Sequence, residues 1–276
     1  MKKMKLLNIA CGSRYHKDWV NIDFHPDSNL VKKVNILKGL PFSNDSFDAV
    51  YSSHFIEHLS KNNAIYVLKE AIRVLKEDGI IRIVVPDLEN ICREYINVLE
   101  KARQNSEHDE KKYNWIISEL LDQMVRNFSG GEMGKIFNEV KKTKNINLAT
   151  YILYRTGDDL LNINGSSSSF YIKNKKITLN KLKNKILYTY LGIIRLLIPC
   201  HLRESVFVNT PVGEKHLWMY DSYSMKKLLN MMGLKNIKTM KYNESSIPDF
   251  NSYLLDIKEN GLPYKGISSL YIEATK

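Results

Sequence analysis

Cysteine is scarce in this chain. The three present, Cys11, Cys92 and Cys200, lie far apart in 276 residues. That excludes a disulfide framework and a zinc ribbon, and it points to a reducing compartment. A membrane-spanning run of about 18 apolar residues is also missing. The nearest approach, Ile186–Pro199, is interrupted by Arg195. The basic stretch Met1–Lys5 leads into an apolar run too short for a secretory signal, so a cytoplasmic location is expected. Glycine (13) and proline (7) are too few for a fibrous or low-complexity protein.

Positive charge is in surplus. Lys and Arg total 41 against 30 acids, a net charge of +11. Residues 1–96 carry +2, residues 97–205 carry +7, and residues 206–276 carry +2. A preference for anionic partners therefore belongs to the middle third.

The apolar pattern predicts a parallel α/β sheet. Lys5–Ala10, Trp19–Asp23, Asp48–Ser52 and Ile80–Val85 read as short buried strands. The first crossover is so short that any helix in it spans a turn or two. Asn62–Lys76 has helical spacing of Ala64, Val67, Leu68, Ala71 and Leu75, with Gly79 as its terminator. Residues 90–128 read as helical. Residues 129–180 read as irregular, with Gly130-Gly131 and Gly165–Ser169 as breakers and Lys173–Lys176 in a loop. Lys181–Pro199 reads as a helix that packs its apolar face on the core with its lysines in solvent, the alternative being contact with an anionic membrane surface. A helix Tyr223–Met232 and strands Lys235–Tyr242 and Ser268–Thr275 follow. The expected fold is a doubly wound, seven-stranded, mostly parallel sheet with a reversed final strand. The expected division is a cofactor half (1–96), a helical insertion or lid (97–205), and a C-terminal part (206–276).

Several segments carry chemistry. Ala10-Cys11-Gly12-Ser13 follows the first strand, where open α/β sheets bind ligands. Asp23 ends the neighbouring strand, where an acid can accept both hydroxyls of a ribose. Leu40-Pro41-Phe42 and Ser46-Phe47-Asp48 lead into Ser53-His54-Phe55-Ile56-Glu57-His58. In this order the segments resemble the class I S-adenosylmethionine-dependent methyltransferases. Trp19–Asp23, Leu121–Arg126, Gly130–Gly134, His216–Asp221 and Ser269–Ala274 resemble a bacterial subgroup associated with surface-polysaccharide biosynthesis.

The resemblance implies S-adenosylmethionine as cofactor and S-adenosylhomocysteine as product. It implies a cofactor site made of Asn8, Ala10, Cys11, Gly12, Asp23, Asn35, Ile36 and Ser53. The family's first acid and first glycine are Asn8 and Ala10 here. Asn35 stands where an acid usually meets the adenine, and its carbonyl can accept the same hydrogen bond. A hydroxyl acceptor must lose a proton, which nominates His54 or His58 as base, with Glu57 orienting it. The same His54-x-x-Glu57-His58 spacing has a second reading as ligands of a divalent metal on one helix face, with His216 as a fourth. Gln123, Arg126, Glu132, Arg155, His216, Trp218 and Tyr220 are the residues expected around an anionic glycan or small-molecule acceptor. Two alternatives stand beside O-methylation of a saccharide. One is a non-catalytic binding or regulatory protein with a degenerate cofactor pocket. The other is an RNA methyltransferase, although no nucleic-acid-binding module is recognisable.

Overall fold

The computed structural model describes residues 4–104, 107–163, 189–194, 196–200, 202 and 213–276. Seven strands form one sheet: β1 (Leu6–Ile9), β2 (Val20–Asp23), β3 (Val31–Lys33), β4 (Phe47–Ser53), β5 (Leu75–Pro86), β6 (Lys235–Met240) and β7 (Ser269–Thr275). Their order is β3-β2-β1-β4-β5-β7-β6. Strands β1 to β5 pair in parallel, and β7 runs antiparallel between β5 and β6. The chain adds β2 and β3 on one side of β1, and β4 and β5 on the other, so the carboxyl ends of β1 and β4 flank the switch point where such sheets bind ligands.

Alternation along the strands sorts side chains to two faces. Leu7, Ile9, Val50, Ile81 and Ile83 pack under helix α1 (Lys61–Val74) and a later helix, Ser222–Met231. Leu6, Ala49, Tyr51, Val84 and Tyr271 face the other way, against Trp19, Ile247, Phe250 and Leu255. Ser60 caps α1 by accepting from the backbone N–H of Asn63. Helix α1 ends at Val74 rather than running to Gly79, because Leu75 already pairs with Phe47. No helix forms in the first crossover, where residues 10–19 are turns and extended chain. The short strand β3 was not expected from the sequence.

The helical region is more ordered than its sequence suggested. It contains α2 (Leu88–Ala102), α3 (Glu107–Val125), α4 (Gly131–Thr143) and α5 (Ile146–Thr156). Helix α2 crosses the expected boundary between residues 96 and 97. Gly130-Gly131 begins a helix instead of breaking one. Both residues have positive φ, and a Cβ on Gly131 would collide with the Asp122 carboxylate. That carboxylate accepts from Glu132 N (2.8 Å) and Met133 N (3.3 Å), capping the new helix in place of a local side chain. Trp115, Val140, Leu148, Ala149 and Ile152 form the core of this region. The loops expected at Gly165–Ser169 and Lys173–Lys176 lie outside the described residues. So does much of the helix expected at Lys181–Pro199, of which residues 189–194 are helical. Helix α6 (Ser222–Met231) closes the described set and is capped by reciprocal Asp221–Ser224 bonds.

Candidate active site

The β1–β2 crossover makes a cleft at the carboxyl ends of β1 and β4. Asn8, Ala10, Cys11, Gly12, Arg14, Ser53 and His54 line it. Ala10 and Gly12 both hold left-handed backbone, at φ 53° and 52°. Glycine takes that conformation freely; for Ala10 it is strained. The chain therefore keeps the tight-turn geometry at Ala10 without the glycine that usually makes it.

The turn is tied down by side chains. The Asn8 amide donates to Arg14 O (3.0 Å) and to Asn21 Oδ1 (3.2 Å). Its carbonyl oxygen is buried and has no hydrogen-bond partner among the described residues. Asp23 accepts from Gly12 N (2.9 Å) and His25 N (2.8 Å), which fixes the carboxylate beside the turn. Burial and the nearby Asp23 push the Cys11 thiol up to about 12, so it stays protonated. Five of the expected cofactor residues, Asn8, Ala10, Cys11, Gly12 and Ser53, thus line one cleft, and Asp23 is bonded to its rim. Asn35 and Ile36 do not line it. Asn35 Oδ1 caps a short 3-10 turn at Leu37 N, and Ile36 is buried in the sheet core. Asn8 Oδ1, an acceptor with no partner among the described residues, an open glycine and a fixed carboxylate could together take a ligand that carries N–H donors and hydroxyl groups.

His54 stands at the end of β4 with φ 49°, its N–H bonded to Val84 O at 2.8 Å. Its Nε2 is 2.9 Å from Ser269 Oγ, and its Nδ1 is 3.4 Å from Glu57 Oε1. Residues Ile56–His58 form a single 3-10 turn, not a helix, so His54 leaves the face expected to join it to His58. The closer group is Glu57, His58 and His216, whose ligand-type atoms lie within 4.8 Å of one another. Glu57 is fully buried, and neither of its oxygens has a hydrogen-bond donor among the described residues. Burial raises its carboxyl to about 8. Burial likewise lowers His54 well below the usual imidazole range, lowers His58, and takes His216 to about 3.

The expected acceptor residues are placed in several environments. Arg155 is buried with both its Nε and one terminal nitrogen on Glu119, at 3.1 and 2.7 Å, and it also donates to Asn90. Arg126 is held by Asp122 at 2.5 Å and Glu214 at 3.3 Å. Both guanidinium groups are bound by acids within the fold, and neither lines the cleft. Glu132 is exposed and pairs with Lys135. Tyr220 belongs to the sheet core. The Gln123 backbone carbonyl accepts from His216 N at 2.8 Å, and Trp218 is partly exposed with Lys61 Nζ 3.6 Å above its ring.

Sequence reasoning missed Arg14, Tyr51, Leu255, Tyr264 and Lys265, which also line the cleft. Arg14 lies 4.2 Å over the Tyr264 ring and donates to Ile257 O at 2.6 Å. Arg14 follows the glycine turn directly, which was a usable signal. Tyr264 and Lys265 arrive from a distant loop that carries no motif.

Residues 10–83 match the family model described as a methyltransferase domain. No curated protein matches the chain. Among solved structures, an S-adenosylmethionine-dependent methyltransferase from Mesorhizobium loti is 15% identical, with a TM-score of 0.24. That alignment covers 31% of this chain and 48% of the other, so the chain spans about half of that protein's length. A possible histamine N-methyltransferase from Thermotoga maritima is 11% identical over 100% of this chain and 84% of its own, at a TM-score of 0.38. A methyltransferase from Archaeoglobus fulgidus is also 11% identical, over 100% of this chain and 87% of its own, at 0.38. The fold is read from the chain's own strand order, which is that of a Rossmann-like class I methyltransferase. The domain match over residues 10–83 agrees with this sheet, whose first five strands contain or border the matched segment.

Proposed function

From a methyltransferase domain over residues 10–83, we propose that the protein moves a methyl group from S-adenosylmethionine to an oxygen of a saccharide or glycan precursor. One observation carries the reading: the glycine turn and His54 line the same cleft. When bound, S-adenosylmethionine supplies an activated methyl group. Asn8, Cys11, Gly12, Asp23 and Ser53 would hold it. His54, at the cleft wall, takes the proton from the acceptor hydroxyl, and the Glu57 carboxylate, 3.4 Å from its Nδ1, steadies the charged ring by its field rather than by a hydrogen bond. Alignment of the acceptor oxygen with the methyl carbon is the protein's main contribution.

The saccharide assignment rests on the resemblance of Gly130–Gly134 and His216–Asp221 to the polysaccharide subgroup. A partly exposed Trp218 beside Lys61 offers an aromatic face and a cation suited to an anionic sugar. Arg14 and Lys265 add positive charge at the cleft itself. The direct test is incubation with methyl-labelled cofactor and a panel of nucleotide sugars and glycan intermediates, read by mass spectrometry. Label on a sugar oxygen is expected. Label on RNA alone would overturn the acceptor class. Tight S-adenosylhomocysteine binding with no turnover on any acceptor would favour the binding-protein alternative, which the Asn8 and Ala10 departures motivate.

A further inference from the structure

We propose that Glu57, His58 and His216 form a binding site for one divalent transition-metal ion of the zinc class. The site does not depend on the methyl-transfer reading. It rests on three observations about how these side chains are held.

The first is proximity. One ligand atom from each residue lies within 4.8 Å of the others, and His58 Nε2 is 3.8 Å from Glu57 Oε1. Donors bound to zinc sit about 2.0–2.2 Å from the ion. Small side-chain movements would bring these three onto a common centre.

The second is the state of Glu57. Its side chain has no solvent exposure, and among the described residues neither oxygen receives a hydrogen bond. A buried carboxyl without a donor is costly. A bound cation would supply the missing partner.

The third is the orientation of the imidazoles. His58 Nδ1 is 3.0 Å from the Lys215 carbonyl, which requires a proton on Nδ1 and leaves the Nε2 lone pair facing Glu57. A backbone carbonyl behind a ligating histidine is the usual outer-shell arrangement at metal sites. The His216 ring stands edge-on to His58, 4.9 Å between centroids. The backbone around the cluster is also fixed. Leu217 N and Trp218 N donate to Glu57 O at 2.7 and 3.2 Å, and His216 N donates to Gln123 O.

Two imidazoles and one carboxylate favour zinc, iron, cobalt or nickel over magnesium or calcium, which prefer all-oxygen sites. Arg126 and Lys265 are the cations whose charge reaches the imidazoles. The charge of Arg126 is offset by Asp122 and Glu214. Lys265 leans over the Tyr264 ring, 5.6 Å from its centroid. Glu57 Oε1 also faces His54 Nδ1, so an ion here would be one carboxylate away from the cleft wall.

The test uses the full chain, stripped with a chelator and dialysed. Zinc chloride is titrated calorimetrically, and cobalt chloride is followed by visible absorption. One ion per chain is expected, with no comparable heat from magnesium chloride. Uptake should be lost in His216→Ala and in the near-isosteric Glu57→Gln, and kept in His16→Ala, which pairs with Asp18 elsewhere. Circular dichroism checks folding, and S-adenosylhomocysteine binding is measured on the same samples. Failure of cofactor binding therefore leaves the metal result standing, and the reverse also holds. Folded wild-type protein that takes up no zinc would overturn the site. So would uptake unchanged in both variants. If either variant fails to fold, the cobalt spectrum of the intact protein decides. Intense bands of a low-coordinate, imidazole-bound ion support the site, and the weak spectrum of the hydrated ion overturns it.

Discussion

The cleft at the ends of β1 and β4 and the helices α3 to α5 handle buried polar groups in opposite ways. In the helices, the buried charges Arg155 and Arg126 are matched by Glu119, Asp122 and Glu214. At the cleft and just behind its His54 wall, Asn8 Oδ1 and both Glu57 oxygens have no donor among the described residues. Paired buried charge holds a fold together. Unpaired buried acceptors fit a place that a ligand completes. The contrast separates residues that look equally functional in the sequence, since arginines and histidines alike were expected at the acceptor site.

Substitutions can break or sharpen that contrast. The largest effect should come from His54→Ala, with kcat for methyl transfer falling by about 10²–10⁴ while S-adenosylhomocysteine still binds. Steady-state kinetics beside calorimetric binding would show it, and an unchanged kcat would remove His54 from the chemistry. Arg155→Ala should cost about 3–5 kcal/mol of stability, because Glu119 is then buried and uncompensated. Urea denaturation checks this. Replacing both Arg155 and Glu119 with apolar residues should cost clearly less, as expected for a structural pair. Asp23→Ala should weaken S-adenosylhomocysteine binding by about 10- to 100-fold, matching about 1.5–3 kcal/mol for hydrogen bonds to a charged group. Titration calorimetry reads that change directly. The smallest effect is a gain. Ala10→Gly should stabilise the protein by about 1 kcal/mol by relieving left-handed strain at φ 53°. A melting temperature that falls would show that the Ala10 methyl has a packing role.

The sheet was largely legible in the sequence because its signal is local. Short β-branched runs, a following glycine and the helical spacing of residues 61–74 each specify their own conformation. Strand β3 escaped because Val31-Lys32-Lys33 buries a single side chain and shows no alternation. Helix α4 escaped because Gly130-Gly131 looks like a breaker until the Asp122 carboxylate, from an earlier helix, is seen capping it. The cofactor turn was readable from Ala10-Cys11-Gly12. The partition of the acceptor residues was not. Whether an arginine faces a cleft or a buried glutamate depends on packing between elements far apart in the chain, as Arg155 and Glu119 are. The regrouping of Glu57 and His58 with His216 instead of His54 has the same origin. A three-residue 3-10 turn replaces the helix that spacing alone suggested.

The position of β7 has a consequence for how the protein is made. This strand is the last of the seven in the chain, yet it lies inside the sheet, between β5 and β6. During synthesis β1 to β5 leave the ribosome long before it does. Until β7 arrives, β5 presents an open row of backbone donors and acceptors flanked by Ile81, Ile83 and Val85. A nascent chain stalled before residue 269 therefore exposes an unpaired strand edge that can template intermolecular pairing.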